Sequence, residues 1–381
     1  MKVCFLCYNY LTLAKALYYI REKYNDCECL IVYRESVAPF PQIRECGIRI
    51  EIVRWIKKQE YCKKNIIVSL INKFVDKLRI NLRIYKEIHK IVDFIDVKDS
   101  NIMITFNDTN SADATIIKII KKRYNLICKI ILIEEGTAIY DDEVPFKNSY
   151  RIANSLINAL MGLSIDEYKG IPHGLNPAID KIICSEPEII KLKRPKTKAI
   201  IEKQENIFTY EFSEFFIGLI MKEKLEIIKQ YTRCRIVLLT QPLVGTYGLT
   251  YEAYEKAVLE IISILTENNC VLIKKHPLDN LNYCFALSYR VIVCDKDIAK
   301  MPFEALFQLL NKPLLVTFYS SSALCEGRLA PSIFAYKILG SSSLNEHIDN
   351  LLIERTDIIK IENLDDLRST IAHIMHKIPT A

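Results

Sequence analysis

Residues 234–277 read CRIVLLTQPLVGTYGLTYEAYEKAVLEIISILTENNCVLIKKHP and decide the fold expected for the second half of the chain. Two short runs rich in β-branched residues, 234–240 and 270–275, enclose a longer stretch whose apolar residues recur at helical spacing. A strand, a helix and a second strand in this order are typical of two parallel strands joined by a crossover helix. The pattern therefore predicts a parallel sheet covered by helices on both faces.

The same alternation extends along the whole chain. In the first half it predicts strands at 2–8, 28–34, 101–106 and 128–133 and helices near 12–24, 66–94 and 110–123. In the second half it predicts further strands at 289–295, 313–319 and 331–339 and helices at 302–311, at 344–352 and after Asn363. We therefore predict an α/β chain of two Rossmann-like, doubly wound domains that face a central cleft.

A change of composition marks the predicted boundary between the domains. Residues 185–210 contain Pro187, Pro195 and a lysine cluster without clear periodicity, as is typical of a linker. We predict a first domain over 1–184, a linker with a connecting helix over 185–230, and a second domain over 231–381 whose final helix could return to the first.

Composition places the chain among packed globular proteins. Its 381 residues are 50% hydrophobic with 10 Gly and 13 Pro, which excludes disordered, collagen-like and low-complexity classes. The longest apolar runs, such as 215–221, fall well short of the roughly 18 residues of a membrane span, and the N-terminus reads as a strand and not as a signal peptide. The apolar helix over 213–230 is interpreted as a core helix, with a homodimer surface as the alternative. The 13 scattered cysteines favour a reduced, cytoplasmic protein without a zinc site.

The net charge of +6 has its basic residues concentrated in 56–94. These residues recur among Ile, Leu and Val without interleaved aromatic residues or a recognisable binding motif, so we predict no nucleic-acid partner. A solvated helix face is one interpretation of this segment. Peripheral contact with the anionic inner face of the cell membrane is the other.

Chemically useful motifs follow the predicted strands, where ligands bind in parallel sheets. The strand at 128–133 leads directly into Glu134-Glu135-Gly136, and one carboxylate of such a pair could serve as a general base. The strand at 270–275 ends in His276-Pro277, where an imidazole can donate a hydrogen bond or a proton to a departing phosphate.

Two further loops belong to the same set. The strand at 313–319 opens into Ser320-Ser321-Ser322, whose hydroxyls either hold a phosphate or only cap the next helix. The strand at 234–240 ends in Gln241, and a loop with two glycines then leads to Glu252.

An acidic pair with Gly, a His-Pro and a serine cluster, in this order, resemble the signatures of bacterial sialyltransferases. The length and the LLTQPL loop are most similar to glycosyltransferase family 52, which includes the lipooligosaccharide and capsule sialyltransferases. This resemblance implies a GT-B fold and an inverting, metal-independent enzyme without a cofactor. CMP-sialic acid would be its donor, and an oligosaccharide, lipid-linked or not, its acceptor.

The resemblance also implies roles for individual residues. Glu134 would be the catalytic base, with Glu252 as the alternative because lipooligosaccharide enzymes place an acid in that part of the second domain. His276 would hydrogen-bond or protonate the leaving phosphate. The residues expected to bind the donor are Gly136, Gln241, Pro277, Ser320, Ser321 and Ser322.

A different reaction class stays open at this point. UDP-sugar 2-epimerases and glycerophosphate transferases share a His-Pro and a serine-rich loop on a GT-B-like fold. Epimerases typically continue after the serines with Gly-Gly and a glutamate, whereas Ala323 and Leu324 follow them here. This difference favours transfer over epimerisation.

Overall fold

The computed structural model describes residues 1–35, 40, 48–53, 86–95, 100–108, 111–124, 127–140, 174–245, 247–276, 279, 281–283, 290–326, 329–352 and 355–377. The chain divides into two compact units, Met1–Ile207 and Phe208–Ala381.

The first unit is built on a sheet of parallel strands in the order β3-β2-β1-β4-β5-β6-β7. Its described strands are β1 (Lys2–Cys7), β2 (Glu28–Arg34), β3 (Arg49–Val53), β4 (Asn101–Thr105), β5 (Cys128–Ile133), β6 (Lys181–Cys184) and β7 (Ile200–Lys203). β1 pairs with β2 on one side and with β4 on the other. Both β1 and β2 are buried nearly throughout, as strands in the interior of a parallel sheet are expected to be.

The helices of the first unit set the geometry at the ends of its strands. They are α1 (Tyr10–Lys23), a helical stretch over 86–94, α2 (Ser111–Tyr124) and α3 (Pro187–Lys193). Asn9 caps α1, because its side chain accepts the Thr12 N–H while the Thr12 hydroxyl accepts the Asn9 N–H. This reciprocal cap starts α1 directly after β1 and fixes Tyr8 and Asn9 at the carboxyl end of that strand.

The second unit contains a sheet of parallel strands in the order β10-β9-β8-β11-β12-β13. The described strands are β8 (Ile236–Leu239), β9 (Val271–Lys274), β10 (Val291–Val293), β11 (Leu314–Thr317), β12 (Ser332–Phe334) and β13 (Ile358–Lys360). The described helices are α4 (Tyr210–Met221), α5 (Leu225–Tyr231), α6 (Tyr251–Leu265), α7 (Phe303–Leu309), α8 (Ser321–Glu326), α9 (Ser342–Leu351) and α10 (Leu364–Lys377). The helix predicted over 213–230 is divided into α4 and α5 by a 3₁₀ turn over Lys222–Lys224. α4 buries Phe212, Phe216 and Ile217 and packs against α7, as the interpretation of a core helix requires.

The structure differs from the predicted linker over 185–210. Residues 185–207, predicted as a linker, contain α3 and β7, and β7 pairs with β6 at the edge of the first sheet. Pro187 occupies the start of α3, where a missing N–H costs nothing, so it begins a helix and does not mark a linker. The final helix α10 packs against α6 of the second unit.

Most of the basic segment falls outside the described residues, which resume at 86–95. There, Lys90 forms an ion pair of 2.6 Å with Glu51 of β3. None of the helices in the described ranges is long and apolar enough to cross a membrane.

Candidate functional site

In each sheet the order of the strands reverses between two neighbours, so that strands are added on one side of this point and then on the other. The reversal lies between β1 and β4 in the first unit and between β8 and β11 in the second. Open α/β sheets bind ligands in the crevice outside the carboxyl ends of the strands at such a reversal. The predicted site residues follow strands that form these reversals or lie next to them in the sheet.

Glu134 follows β5 and is enclosed by protein, with only 3% of the residue exposed. Its Oε2 accepts hydrogen bonds from the Tyr140 hydroxyl at 2.7 Å and from the Ser185 backbone N–H. Its backbone carbonyl accepts a hydrogen bond from the buried amine of Lys15. Gly136 leads into the 3₁₀ turn that brings Tyr140 back to this carboxylate. Glu134 thus joins the end of β5 to the chain that follows β6.

Glu135 occupies a different environment, although it is the next residue. It is half-buried, and its carboxylate accepts hydrogen bonds from the Tyr8 hydroxyl and from the Asn9 side-chain amide at 2.5 Å. Burial, and then the charge of Glu135, raises the pKa of Tyr8 well above its ordinary value, so Tyr8 stays protonated and donates. Because Tyr8 and Asn9 follow β1, it is the second carboxylate of the pair that lies at the strand reversal.

A buried ion cluster lies at the end of the neighbouring strand β2. Arg34 contacts Glu87 at 2.7 Å and Asp113 at 2.6 Å, and all three side chains are almost completely buried. Burial alone would lower the pKa of Arg34, but Asp113 and Glu87 outweigh it and raise the pKa. The cluster ties β2 to the helix over 86–94 and to α2.

In the second unit, His276 follows β9 and is half-buried. Its backbone N–H donates to the Thr240 hydroxyl at 3.2 Å, and its backbone carbonyl accepts the Asp279 N–H at 2.9 Å. Burial, and then the charge of Lys274, lowers the pKa of the imidazole below its ordinary value, while Asp279 opposes this shift. The imidazole is therefore neutral at pH 7 and can donate one hydrogen bond.

Asp279 and Thr240 hold His276 in place, and neither residue was predicted from the sequence. Asp279 is 7% exposed, and its Oδ2 accepts hydrogen bonds from the Thr240 hydroxyl and from the Tyr283 hydroxyl at 2.7 Å. Its Oδ1 accepts the Leu281 N–H at 3.0 Å. A satisfied buried carboxylate thus ties the loop after β9 to the end of β8.

Gln241 follows Thr240 at the strand reversal. The hydroxyl of the fully buried Tyr254 donates to its backbone carbonyl at 2.9 Å and accepts its N–H at 3.3 Å. The Thr317 hydroxyl of β11 donates to the Leu239 carbonyl of β8 at 3.0 Å. The two bonds to Tyr254 hold the Gln241 backbone, and Gln241 is half-buried.

The serine cluster follows β11, the other strand of the reversal. Ser320 is 4% exposed, and its carbonyl accepts the Leu324 N–H at 3.1 Å in the first turn of α8. Ser322 is half-buried in the same turn. Pro277 and the side chain of Ser321 lie outside the described residues.

Glu252 is exposed in the first turn of α6, the helix that Thr250 caps. A carboxylate there interacts favourably with the positive end of the helix dipole, which explains its position without a catalytic role. Within the described ranges, no group of three His, Cys, Asp or Glu side chains could hold a metal ion.

Comparisons with solved structures connect this architecture to known proteins. The GT-B domain of a sialyltransferase from Photobacterium damselae matches with a TM-score of 0.51 at 13% identity, covering 94% of this chain and 100% of that one. The fold is GT-B. This confirms the predicted α/β architecture of two parallel sheets.

Enzymes of another reaction class share the fold. A putative UDP-N-acetylglucosamine 2-epimerase from Listeria monocytogenes matches with a TM-score of 0.52 at 12% identity, covering 98% of this chain and 88% of that one. The UDP-GlcNAc 2-epimerase of Methanocaldococcus jannaschii matches with a TM-score of 0.50 at 12% identity, covering 99% and 94%. No protein-family model matches the chain, and comparison with curated sequences finds no significant match.

Proposed function

We propose that this protein is an inverting sialyltransferase that moves sialic acid from CMP-sialic acid to a hydroxyl of a surface oligosaccharide or capsule glycan. The observation that carries the proposal is His276, which Thr240 and Asp279 hold at the carboxyl end of β9. The next strand in the sheet, β8, forms the reversal with β11, where the serine cluster begins. A sialyltransferase domain among the solved structures of this fold supports the same reading.

In the proposed reaction, the second unit holds the donor. The bond from the anomeric carbon to the CMP phosphate breaks, and negative charge develops on the phosphate. The imidazole of His276 and the hydroxyl of the half-buried Ser322 donate hydrogen bonds to this charge. Donors that are fixed before the reaction stabilise such charge without reorganisation. They supply the stabilisation that a divalent ion gives in other transferases, so we expect activity to survive EDTA, whereas strict dependence on a divalent ion would contradict this mechanism.

Glu135, rather than Glu134, is the base that the geometry favours. Oε2 of Glu134 accepts hydrogen bonds from Tyr140 and Ser185, and the residue is only 3% exposed. Glu135 is half-buried, and Tyr8 orients its carboxylate at the strand reversal. In the proposed step it takes the proton of the acceptor hydroxyl as the oxygen bonds to the anomeric carbon.

The competing function is a UDP-sugar 2-epimerase, because the UDP-GlcNAc 2-epimerase of Methanocaldococcus jannaschii shares the fold. The two functions require different nucleotides, so thermal unfolding with CMP or UDP separates them. A nucleotide at a hundred times its dissociation constant contributes about 2.7 kcal/mol and raises the Tm by roughly 5–10 °C. We expect this shift with CMP, and stabilisation by UDP alone would refute the sialyltransferase proposal.

The second experiment measures release of CMP from CMP-sialic acid with a panel of galactosides and sialosides as acceptors. Acceptor-dependent release would support both donor and acceptor class, and absence of release with every acceptor would contradict the proposal. Two further features stay predictions: contact of the basic residues in 56–94 with an anionic membrane, and formation of a homodimer.

A further inference from the structure

Two cysteines meet at the amino ends of neighbouring strands in the second unit. Cys234 lies two residues before β8, and Cys270 immediately precedes β9. These strands pair in parallel with Ile236 opposite Val271, and the two Sγ atoms are 2.8 Å apart. The thiols are thus already in contact, and less than about 1 Å of approach separates the two sulfurs from the roughly 2.04 Å of a disulfide bond.

We propose that Cys234 and Cys270 form a thiol–disulfide modification site whose co-reactant is a small-molecule disulfide, such as glutathione disulfide. The site does not depend on the proposed transferase activity. It also differs in position from the candidate functional site, because the cysteines precede β8 and β9 whereas Gln241 and His276 follow them.

The exposure of the two thiols sets the order of the steps. Cys270 is half-buried and reachable from solvent, so its thiolate attacks one sulfur of glutathione disulfide and displaces a glutathione thiolate. The thiol of Cys234 then loses its proton and attacks the Cys270 sulfur of this mixed disulfide, which releases the second glutathione. Two protein thiols are oxidised, and one glutathione disulfide is reduced to two glutathione thiols. Burial raises the pKa of Cys234 and leaves less of it as thiolate, so Cys234 is not the thiol that attacks first.

The contact between the thiols gives this pair an advantage over the other described cysteines. A partner already in place makes the second step intramolecular, which is equivalent to a very high local thiol concentration. The link would close a segment of 36 residues that includes β8 and α6. Closing such a segment restricts the unfolded chain and stabilises the folded unit.

The test equilibrates the purified full-length protein in glutathione buffers of increasing oxidised fraction, alkylates free thiols and maps the peptides by mass spectrometry. We expect a peptide pair linked through Cys234 and Cys270 to appear while Cys27, a half-buried cysteine of the first unit, is still alkylated. Oxidation should raise the Tm by roughly 5–10 °C. The rise should persist in Cys27→Ser and disappear in Cys270→Ser.

Cys234→Ala provides a second variant if Cys270→Ser fails to fold, and the same loss of the oxidation-dependent rise is expected. The proposal is overturned if Cys234 and Cys270 are both alkylated at buffers that oxidise Cys27. It is equally overturned if the variant that folds keeps the full Tm rise. Neither measurement uses a nucleotide, so the outcome is separate from that of the CMP and UDP experiment.

Discussion

The two neighbouring carboxylates after β5 should respond to substitution in opposite ways. Glu135→Gln keeps the shape of the side chain and an acceptor oxygen for Asn9 or Tyr8, but it removes the ability to take a proton. Loss of a general base lowers turnover by about 10²–10⁴-fold, or about 3–5 kcal/mol in the barrier. The Tm should change little, because Glu135 is only half-buried.

Glu134→Leu should show the reverse. It leaves the Tyr140 hydroxyl and the Ser185 N–H without their acceptor, and each buried donor left unsatisfied costs about 1–3 kcal/mol. We expect the free energy of unfolding to fall by about 2–4 kcal/mol and the Tm by roughly 5–15 °C. Glu134→Gln retains an acceptor oxygen and should lose less stability. The turnover of either folded variant should stay within a few-fold of wild type.

The assay combines CMP release from CMP-sialic acid, at saturating acceptor, with thermal unfolding followed by circular dichroism. Glu252→Gln serves as a third variant, and it should change neither measurement because Glu252 is exposed at the start of α6. The reasoning is refuted if Glu134→Gln abolishes turnover at an unchanged Tm while Glu135→Gln stays active. Loss of turnover in Glu252→Gln alone would assign the base to the second unit.

Three further outcomes are expected. His276→Ala should lower turnover by about 10²–10⁴-fold in a folded protein, and wild-type turnover would contradict its role at the leaving phosphate. The pKa of His276 is lowered in the folded protein, so the unfolded chain takes up a proton at this residue more readily. The contribution of His276 to the free energy of unfolding is therefore present above its ordinary pKa of about 6.5 and is lost as the pH falls below that value. Denaturant titrations above and below about pH 6.5 should show this pH dependence of stability in wild type and a smaller one in His276→Ala. Arg34→Met should cost about 3–5 kcal/mol in the same titrations because Glu87 and Asp113 are left as buried charges, whereas a stability equal to wild type would contradict their burial.

Strands in the sheet interiors could be predicted from the sequence because they are buried on both faces. The run at 128–133 coincides with β5, and that at 2–8 differs from β1 by one residue. Such strands read as continuous apolar runs, and this pattern depends little on which strands are neighbours.

Short and peripheral strands could not be predicted in this way. β7 is largely exposed at the edge of the sheet and has only four residues, and β13 has three. Their conformation depends on pairing with β6 and β12, which the local sequence does not reveal. The predicted strand over 331–339 is shorter in the structure for a similar reason. Only Ser332–Phe334 pairs with neighbouring strands, and a 3₁₀ turn occupies Tyr336–Leu339.

The placement of the motifs at the carboxyl ends of the strands could be predicted from the sequence, but the contacts of individual residues could not. Parallel strands end at one edge of a sheet, so the motifs after β5, β9 and β11 could be located without coordinates. Which carboxylate of the acidic pair is enclosed depends on Ser185, a residue 51 positions away in the chain. Similarly, Asp279 accepts a hydrogen bond from the hydroxyl of Thr240, which lies 39 positions away in the chain. Contacts of this range leave no local pattern in a single sequence.

The surroundings of His276 determine how it would respond to a phosphate. Burial beside Lys274 disfavours the charged imidazolium, so the ligand-free protein avoids placing a second positive charge in this loop. A phosphate that binds at His276 would supply the opposite charge and favour the imidazolium. Nucleotide binding should therefore take up a proton, and CMP affinity should increase as the pH falls through the pKa that His276 has in the complex. Calorimetry in two buffers of different ionisation enthalpy measures this uptake directly, and equal uptake in His276→Ala would assign the proton to another group.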